Sequence, residues 1–172
     1  MKMKKRKMKK RVSKNHPLLF YILDKGVQYM KYFSIDEMVR SATAKKYGID
    51  NRPSQDILNN LVLFIEKVLD PIREDWGGPI SVSSGYRCPE LNAKVGGAKT
   101  SGHLYGYCAD LQVKGGMKRV RELADFIFEW MKDHHMKFDE LLFERSGNVT
   151  WLHFCWIGKD GKQRMKCFDI VK

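Results

Sequence analysis

Three side chains in the second half of the chain have the chemistry of metal ligands: His103, Asp110 and His153. Period-two alternation along 108–113 and 149–156 predicts strands in which Asp110 and His153 point away from the apolar side chains, toward one cleft. His103 lies in a glycine-rich loop seven residues before Asp110, close enough to fold back over that strand. Two imidazoles and one carboxylate, with a fourth position for water, form the ligand set of a catalytic zinc site.

Spacing alone leaves a second interpretation open for these residues. Single histidines on strands are more often structural groups whose hydrogen bonds are satisfied. The pattern also differs from helical zinc motifs such as HExxH.

Two segments before these residues have clear helical signals. Ser34 and Glu37 form a capping box, in which the Ser34 oxygen accepts a free backbone N–H and Glu37 reaches back to the cap. From Ser54 to Leu69 apolar residues recur at intervals of three and four, which predicts an amphipathic helix that Pro71 bends or ends.

The rest of the chain alternates between strand and helix patterns, with a glycine-rich segment at 86–107 that is typical of a functional loop. We therefore predict one α+β domain over residues 17–172, with helices packed on one face of a mostly antiparallel sheet. The predicted strands are 80–84, 109–113, 140–144, 149–156 and 164–171, a tight hairpin joins the third to the fourth at 145–148, and a second long helix covers 117–133.

The formal charge of +12 is concentrated at one end of the chain. Residues 1–16 hold nine Lys or Arg and no acidic residue, which leaves the remaining 156 residues with a net charge of only +3. Such a block favours a solvated, disordered tail. We expect non-specific contact with polyanions through residues 2–14 and no specific nucleic acid, although net charge alone suggests a nucleic-acid-binding protein as an alternative hypothesis.

Membrane and export signals are weak. No apolar run approaches the roughly 20 residues of a spanning helix, so we expect no transmembrane segment. Pro17–Leu23 is short for the apolar part of a signal peptide, is followed by Asp24 and Lys25, and precedes no small-residue cleavage site. A cleaved signal peptide is therefore the weaker interpretation.

The four cysteines show neither CxxC spacing nor a dense framework, which excludes zinc-finger and disulfide-scaffold classes. We expect free thiols or small packing residues. Cys108 and Cys155 should share the cleft face with Asp110 and His153, and we interpret Cys108 as a packing residue.

Several motifs resemble one known family when they are taken in order. The segments are SGYRCPELN at 84–92, VGG at 95–97, SGHLYGYCAD at 101–110 and WLH at 151–153. They resemble the M15 family of zinc D-Ala-D-Ala carboxypeptidases and phage endolysins, above all its short single-domain peptidases, whose pattern is SGYRxPxxN, VGG, SxHxxGxAxD and WxH. The resemblance covers about residues 32–156 and implies a hedgehog/DD-peptidase-like fold.

The resemblance also implies roles for individual residues. His103, Asp110 and His153 would bind Zn²⁺, in agreement with the argument from strand faces. Arg87 would meet the substrate carbonyl or carboxylate, for which a planar, permanently charged group is suited. Ser101 resembles a serine that hydrogen-bonds near the substrate. The alternatives are a surface arginine beside a turn and a serine that only caps the turn.

The catalytic base does not follow the usual family pattern, because many family members have an acidic residue three positions before the last histidine, where this chain has Thr150. Glu140 and Glu144 are the candidates, and we favour Glu140 slightly. A solvated edge position is the alternative for either residue.

The register of the hairpin bears on this choice. A turn at residues 146 and 147 places Glu140 opposite His153. A turn one residue later places Leu142 opposite His153 and leaves both glutamates diagonal to it.

The implied function is hydrolysis of an amide bond in the peptide stem of bacterial peptidoglycan, as a D-Ala-D-Ala carboxypeptidase or as an endolysin-type endopeptidase, which includes an L,D-type cut. The alternative is a catalytically silent wall-binding domain that keeps the metal site. We expect action at the cell wall, in the periplasm or outside the cell, by a protein made in the cytoplasm and released through a phage pore. A host enzyme that remodels its own wall is the alternative.

Overall fold

The computed structural model describes residues 30–171, so the predicted basic tail lies outside the described part of the chain. The helices are α1 (Ile35–Val39), α2 (Ala42–Tyr47), α3 (Gln55–Phe64), α4 (Asp70–Trp76), α5 (Pro89–Lys94) and α6 (Gly116–Asp133), with a π-helical turn at Ile65–Leu69 and a 3-10 turn at Gly102–Tyr105. The strands are β1 (Ser81–Ser84), β2 (Cys108–Gln112), β3 (Glu140–Ser146), β4 (Val149–Cys155) and β5 (Lys166–Val171).

Only half of the predicted capping box forms at the start of α1. The Ser34 hydroxyl accepts the Glu37 N–H at 3.1 Å, as expected. The Glu37 carboxylate instead accepts the backbone N–H of Val82 at 3.2 Å. Glu37 therefore connects α1 to β1, because a strand N–H competes with the local cap for the same carboxylate.

The amphipathic helix begins after Ser54 as predicted, but Pro71 does not end it. The helix widens at Ile65–Leu69 into a π turn, in which the Asp70 N–H donates to the Ile65 carbonyl five residues earlier. A proline ring clashes with the carbonyl four residues before it in a regular helix, and a π turn displaces that carbonyl. The chain can therefore continue through Pro71 into α4.

The five strands form one sheet in the order β1-β2-β4-β3-β5, in which only the β3–β5 pair is parallel. This confirms the predicted α+β fold with a mostly antiparallel sheet. Helices cover one face of the sheet, where Phe64 of α3 packs against Phe154 of β4 with ring centroids 5.7 Å apart. The opposite face carries the polar residues of β2, β3 and β4 and is bordered by the segment 85–107.

The β3–β4 hairpin adopts the second of the two predicted registers. Ser146 pairs with Val149, which places the turn at residues 147 and 148, with Gly147 at φ +56°. Leu142 consequently lies opposite His153. The register with Glu140 opposite His153 is wrong, because the chain reverses where glycine supplies the left-handed backbone conformation that a tight hairpin needs.

The glycine-rich segment is more ordered than a loop. It contains α5, whose first turn holds Pro89 and whose Leu91 N–H donates to the Cys88 sulfur, and it also contains the 3-10 turn. Among residues 30–171, no helix is both long enough and apolar enough to cross a bilayer.

Candidate metal centre

The sheet and one short turn bring the three predicted ligands together. Asp110 of β2 and His153 of β4 are direct partners across the strand pair, so their side chains leave the sheet side by side. His103 comes from the 3-10 turn, which lies over these strands. A Cβ on Gly102 would approach the Cys108 and Cys155 sulfurs to 2.2 and 2.6 Å. Glycine at this position therefore allows the turn to approach closely enough to place His103 beside Asp110.

The donor atoms converge within bonding range of a single ion. His103 Nε2 lies 3.2 Å from His153 Nδ1, and Asp110 Oδ1 lies 3.2 and 2.9 Å from these two nitrogens. Tetrahedral zinc with bonds of about 2.0–2.1 Å holds its ligand atoms about 3.3 Å apart. The three donors, all of them buried, therefore fit a zinc ion in type, number and separation.

Each imidazole presents one nitrogen to the centre and the other to a nearby oxygen. The His103 Nδ1–H donates a hydrogen bond to the Gly85 carbonyl at 2.6 Å. The lone pair of Nε2 is then the one that can bind a metal ion. His153 presents Nδ1 to the centre, and its Nε2 lies 3.8 Å from a Glu140 oxygen. The hydrogen bond from His103 to Gly85 is of the kind that fixes the tautomer and ring orientation of a metal-binding histidine, whereas His153 Nε2 and Glu140 are close enough only for an electrostatic contact.

The electrostatics of the site favour the protonation states that metal ligands require. Burial lowers the pKa of His103, which favours the neutral imidazole. Burial alone would raise the pKa of Asp110, but the interactions with His103 and His153 outweigh it and hold that pKa well below its usual range. Asp110 is therefore an anion and His103 a neutral donor near neutral pH.

Arg87 is tied to the same carboxylate. Its Nη2 donates to Asp110 Oδ2 at 2.7 Å, and its Nε donates to the Ser84 hydroxyl at 2.8 Å. Asp110 thus uses one oxygen toward the histidines and the other toward Arg87. The alternative interpretation of Arg87 as a surface residue is wrong, because only 17% of its side chain is exposed.

The centre forms the floor of an open cleft of about 500 Å³. Arg87, Ser101, Glu140 and Glu144 all line this cleft, so the structure gathers every side chain that was predicted for the site. Ser101 precedes the 3-10 turn, but its side chain makes no capping hydrogen bond. The Ser101 hydroxyl is therefore not explained by capping.

The two candidate bases differ in their surroundings. Glu140 is diagonal to His153 across the hairpin, and its carboxylate lies 3.8 Å from His153 Nε2 and 3.1 Å from Lys166 Nζ. Glu144 pairs with Trp151 in the register and is only 8% exposed. Neither glutamate is a solvated edge residue, because β3 lies between β4 and β5.

The prediction of free thiols is wrong for two cysteines, since Cys108 and Cys155 form a disulfide. The two residues are direct partners in the β2–β4 register, two positions before Asp110 and two after His153. The alternation that puts both side chains on the cleft face also puts their sulfurs in contact. Cys88 and Cys167 are free.

Sequence reasoning missed several residues that support the site. Asn51 accepts the Cys88 N–H at 2.7 Å and donates to the carbonyls of Val39 and Tyr86, which holds the backbone on both sides of Arg87. Ser84 and Arg87 belong to the same SGYR motif, so the motif itself could have indicated their hydrogen bond. No sequence pattern indicates that Lys166 belongs to the site, because its contact with Glu140 depends on the parallel pairing of β5 with β3.

The fold and the site together define a small α+β protein with a candidate metal centre at the floor of an open cleft. The sequence model of the family described as Peptidase M15 matches residues 31–148, more than half of the chain, and the chain belongs to this family. The predicted family is thereby confirmed. The matched range contains His103 and Asp110 and ends before His153. No individual curated protein matches the chain.

Family membership supports the coarse assignment of the protein as a metallopeptidase, and hence a hydrolase, with a substrate of the peptidoglycan type. The His-Asp-His cluster is a suitable metal site for such an enzyme. The residue roles and the bond that is cut go beyond this assignment.

Proposed function

We propose that this protein is a zinc-dependent peptidase that hydrolyses an amide bond in the peptide stem of bacterial peptidoglycan, as a D-Ala-D-Ala carboxypeptidase or an endolysin-type endopeptidase. The observation that carries the proposal is the convergence of His103, Asp110 and His153 at the floor of an open cleft, in a chain of the M15 family. Two nitrogens and one oxygen, with room for a further ligand, suit catalytic zinc. A bound zinc ion would supply an acidified water and a polarised scissile carbonyl.

Arg87 is the residue best suited to bind the substrate carboxylate or carbonyl. It lines the cleft, its charge is permanent, and its Nη1 has no hydrogen-bond partner among residues 30–171. Its other donors hold Asp110 and Ser84, so the guanidinium is fixed before substrate arrives. Ser101, on the same wall, offers a hydroxyl for hydrogen bonding to the peptide backbone.

Glu140 is the proposed general base. Its carboxylate lies beside His153 and faces the cleft, where it can accept a proton from the attacking water and return it to the leaving amine nitrogen. Lys166 contacts one Glu140 oxygen and leaves the other on the His153 side. Glu144 is the second candidate, since it lines the same cleft and lies four residue pairs nearer the hairpin turn than Glu140.

Digestion of purified sacculi followed by mass analysis of the released fragments tests the activity and identifies the bond. The zinc-loaded protein should release fragments with one amide bond cut, and His103→Ala should lose both stoichiometric zinc and release. Glu140→Gln should lower kcat by about 10²- to 10⁴-fold with zinc retained. Glu144→Gln is the matched control, and a larger loss in that variant would move the role of base to Glu144.

A zinc-loaded wild-type protein that sediments with sacculi and releases nothing would refute the peptidase. That result would favour the catalytically silent wall-binding domain, a hypothesis that rests on Thr150 at the position where an acid is common in the family.

We also propose that the enzyme acts at the cell wall after release from the cytoplasm through a phage pore. Cytoplasmic expression should then lyse cells only when a pore-forming protein is co-expressed.

Deletion of residues 2–14 should leave hydrolysis intact and abolish binding to anionic polymers. Salt-sensitive DNA binding by the shortened chain would contradict this role for the tail.

A further inference from the structure

A second, smaller cavity of about 190 Å³ adjoins the cleft. The two spaces share Thr100, Gly102 and Glu140 as lining residues, whereas Arg87 lines only the larger one. The smaller cavity therefore continues the cleft past Glu140, at the end that Arg87 does not reach. Its remaining walls are formed by Asp139, Cys155, Gly158, Lys159, Arg164 and Lys166.

An anchored turn shapes this cavity. Asp139 is buried and accepts hydrogen bonds from the backbone N–H and the Nη1 of Arg164, at 3.2 and 2.7 Å. The turn above it is closed by hydrogen bonds between Gly158 and Lys162 and between Gly161 and Gly158, each 2.9 Å long. A Cβ on Gly158 would lie 2.3 Å from an Asp139 oxygen, so only glycine allows the turn to pack directly against the Asp139–Arg164 ion pair.

The walls of the cavity carry an excess of positive charge. Arg164 is paired with Asp139 and also with Asp160, and Lys166 is paired with Glu140. Lys159 is exposed, and no ion pair is found for it among residues 30–171. The lining residues comprise three cations and two carboxylates, and outside the lining Asp160 is shared by Arg164 and Lys162. With Asp160 and Lys162 included, four cations face three carboxylates, so one positive charge remains in excess.

We propose that this cavity is a subsite for a free carboxylate on the peptide substrate, held by Lys159 with support from Lys166. The inference rests on the proposed function and adds a substrate preference to it. Because Arg87 does not line this cavity, the carboxylate bound here is a different group from any that Arg87 binds. Peptide stems whose side-chain carboxyl groups are free are the preferred substrates, and amidated stems are the poorer ones.

The test compares two synthetic stem pentapeptides that are identical except that the side-chain carboxyl groups of one are amidated. For the zinc-loaded full chain, kcat/KM should be higher for the free peptide by about fivefold, the upper range of one partly exposed ion pair. Lys159→Gln should reduce this ratio to about one, mainly through KM. Lys162→Gln is the matched control, because Lys162 is also exposed, lies three residues away, is paired with Asp160 and does not line the cavity.

Equilibrium binding of both peptides to the full chain provides a readout that does not require hydrolysis. Tighter binding of the free peptide, lost in Lys159→Gln and kept in Lys162→Gln, supports the subsite. Equal binding of the two peptides, or an equal loss in both variants, overturns it. Absence of hydrolysis with this binding preference intact would refute the peptidase alone, so the two proposals fail separately.

Discussion

Breaking the Cys108–Cys155 disulfide should destabilise the fold by a predictable amount. The bond joins β2 to β4 across a sequence separation of 47 residues. The chain-entropy estimate for a closed loop of that size is about 4 kcal/mol. For a domain of this size, 1 kcal/mol shifts the melting temperature by about 2–4 °C, so reduction should lower Tm by about 8–16 °C.

Thermal unfolding followed by circular dichroism, with and without a phosphine reductant, measures this shift. Cys108→Ala/Cys155→Ala should melt like the reduced protein and should not respond to reductant. Cys167→Ala is the matched control, because Cys167 is exposed and not bonded. Thiol titration of the denatured chain should find two thiols before reduction and four after it.

The result that would refute this reasoning is a Tm that is unchanged by reductant, together with four thiols in protein purified under oxidising conditions. The two cysteines would then be packing residues on the cleft face. A lower Tm with unchanged zinc content would show that strand pairing alone holds Asp110 beside His153.

Three further predictions concern the core and the centre. Gly85→Ala should destabilise the protein by about 1–3 kcal/mol in urea unfolding, because a Cβ at this position would lie 2.3 Å from the Met38 carbonyl oxygen. It should also weaken zinc binding, measured by metal analysis, because the Gly85 carbonyl orients His103. Asp70→Asn should cost about 1–3 kcal/mol in urea unfolding, because the Asp70 carboxylate accepts three backbone N–H groups from residues 31–33; an unchanged midpoint would show that this clamp adds nothing. Removing zinc with a chelator should lower Tm by about 5–11 °C relative to protein at a hundredfold excess of zinc over Kd, equivalent to about 2.7 kcal/mol, and His103→Ala should show no such shift.

Local periodicity accounts for the parts of the fold that were predicted correctly. The helix from Ser54 needs only apolar side chains at intervals of three and four, and the strands that carry Asp110 and His153 need only alternation. Those patterns act over a few residues and assign each side chain to a face. The two ligands on strands could therefore be placed on one side of a sheet before the pairing was known.

Long-range pairing accounts for what was missed. The capping carboxylate of Glu37 bonds to Val82, 45 residues away, and Lys166 reaches Glu140 through a parallel strand pair. Turn propensity alone allowed two registers for the β3–β4 hairpin. The packed sheet selects the one with the turn at residues 147 and 148. No local pattern reports which distant backbone group will compete for a side chain.

The sequence by itself determined the donor types, the faces of Asp110 and His153, and the family, because these depend on residue identity, short periods and motif order. Only the tertiary structure decided that these two residues are direct partners, that the turn over Gly102 brings His103 to the same point, and that two cysteines are bonded beside them. The physical reason is that contacts between residues some 40 or more positions apart are selected by the packing of whole elements against one another.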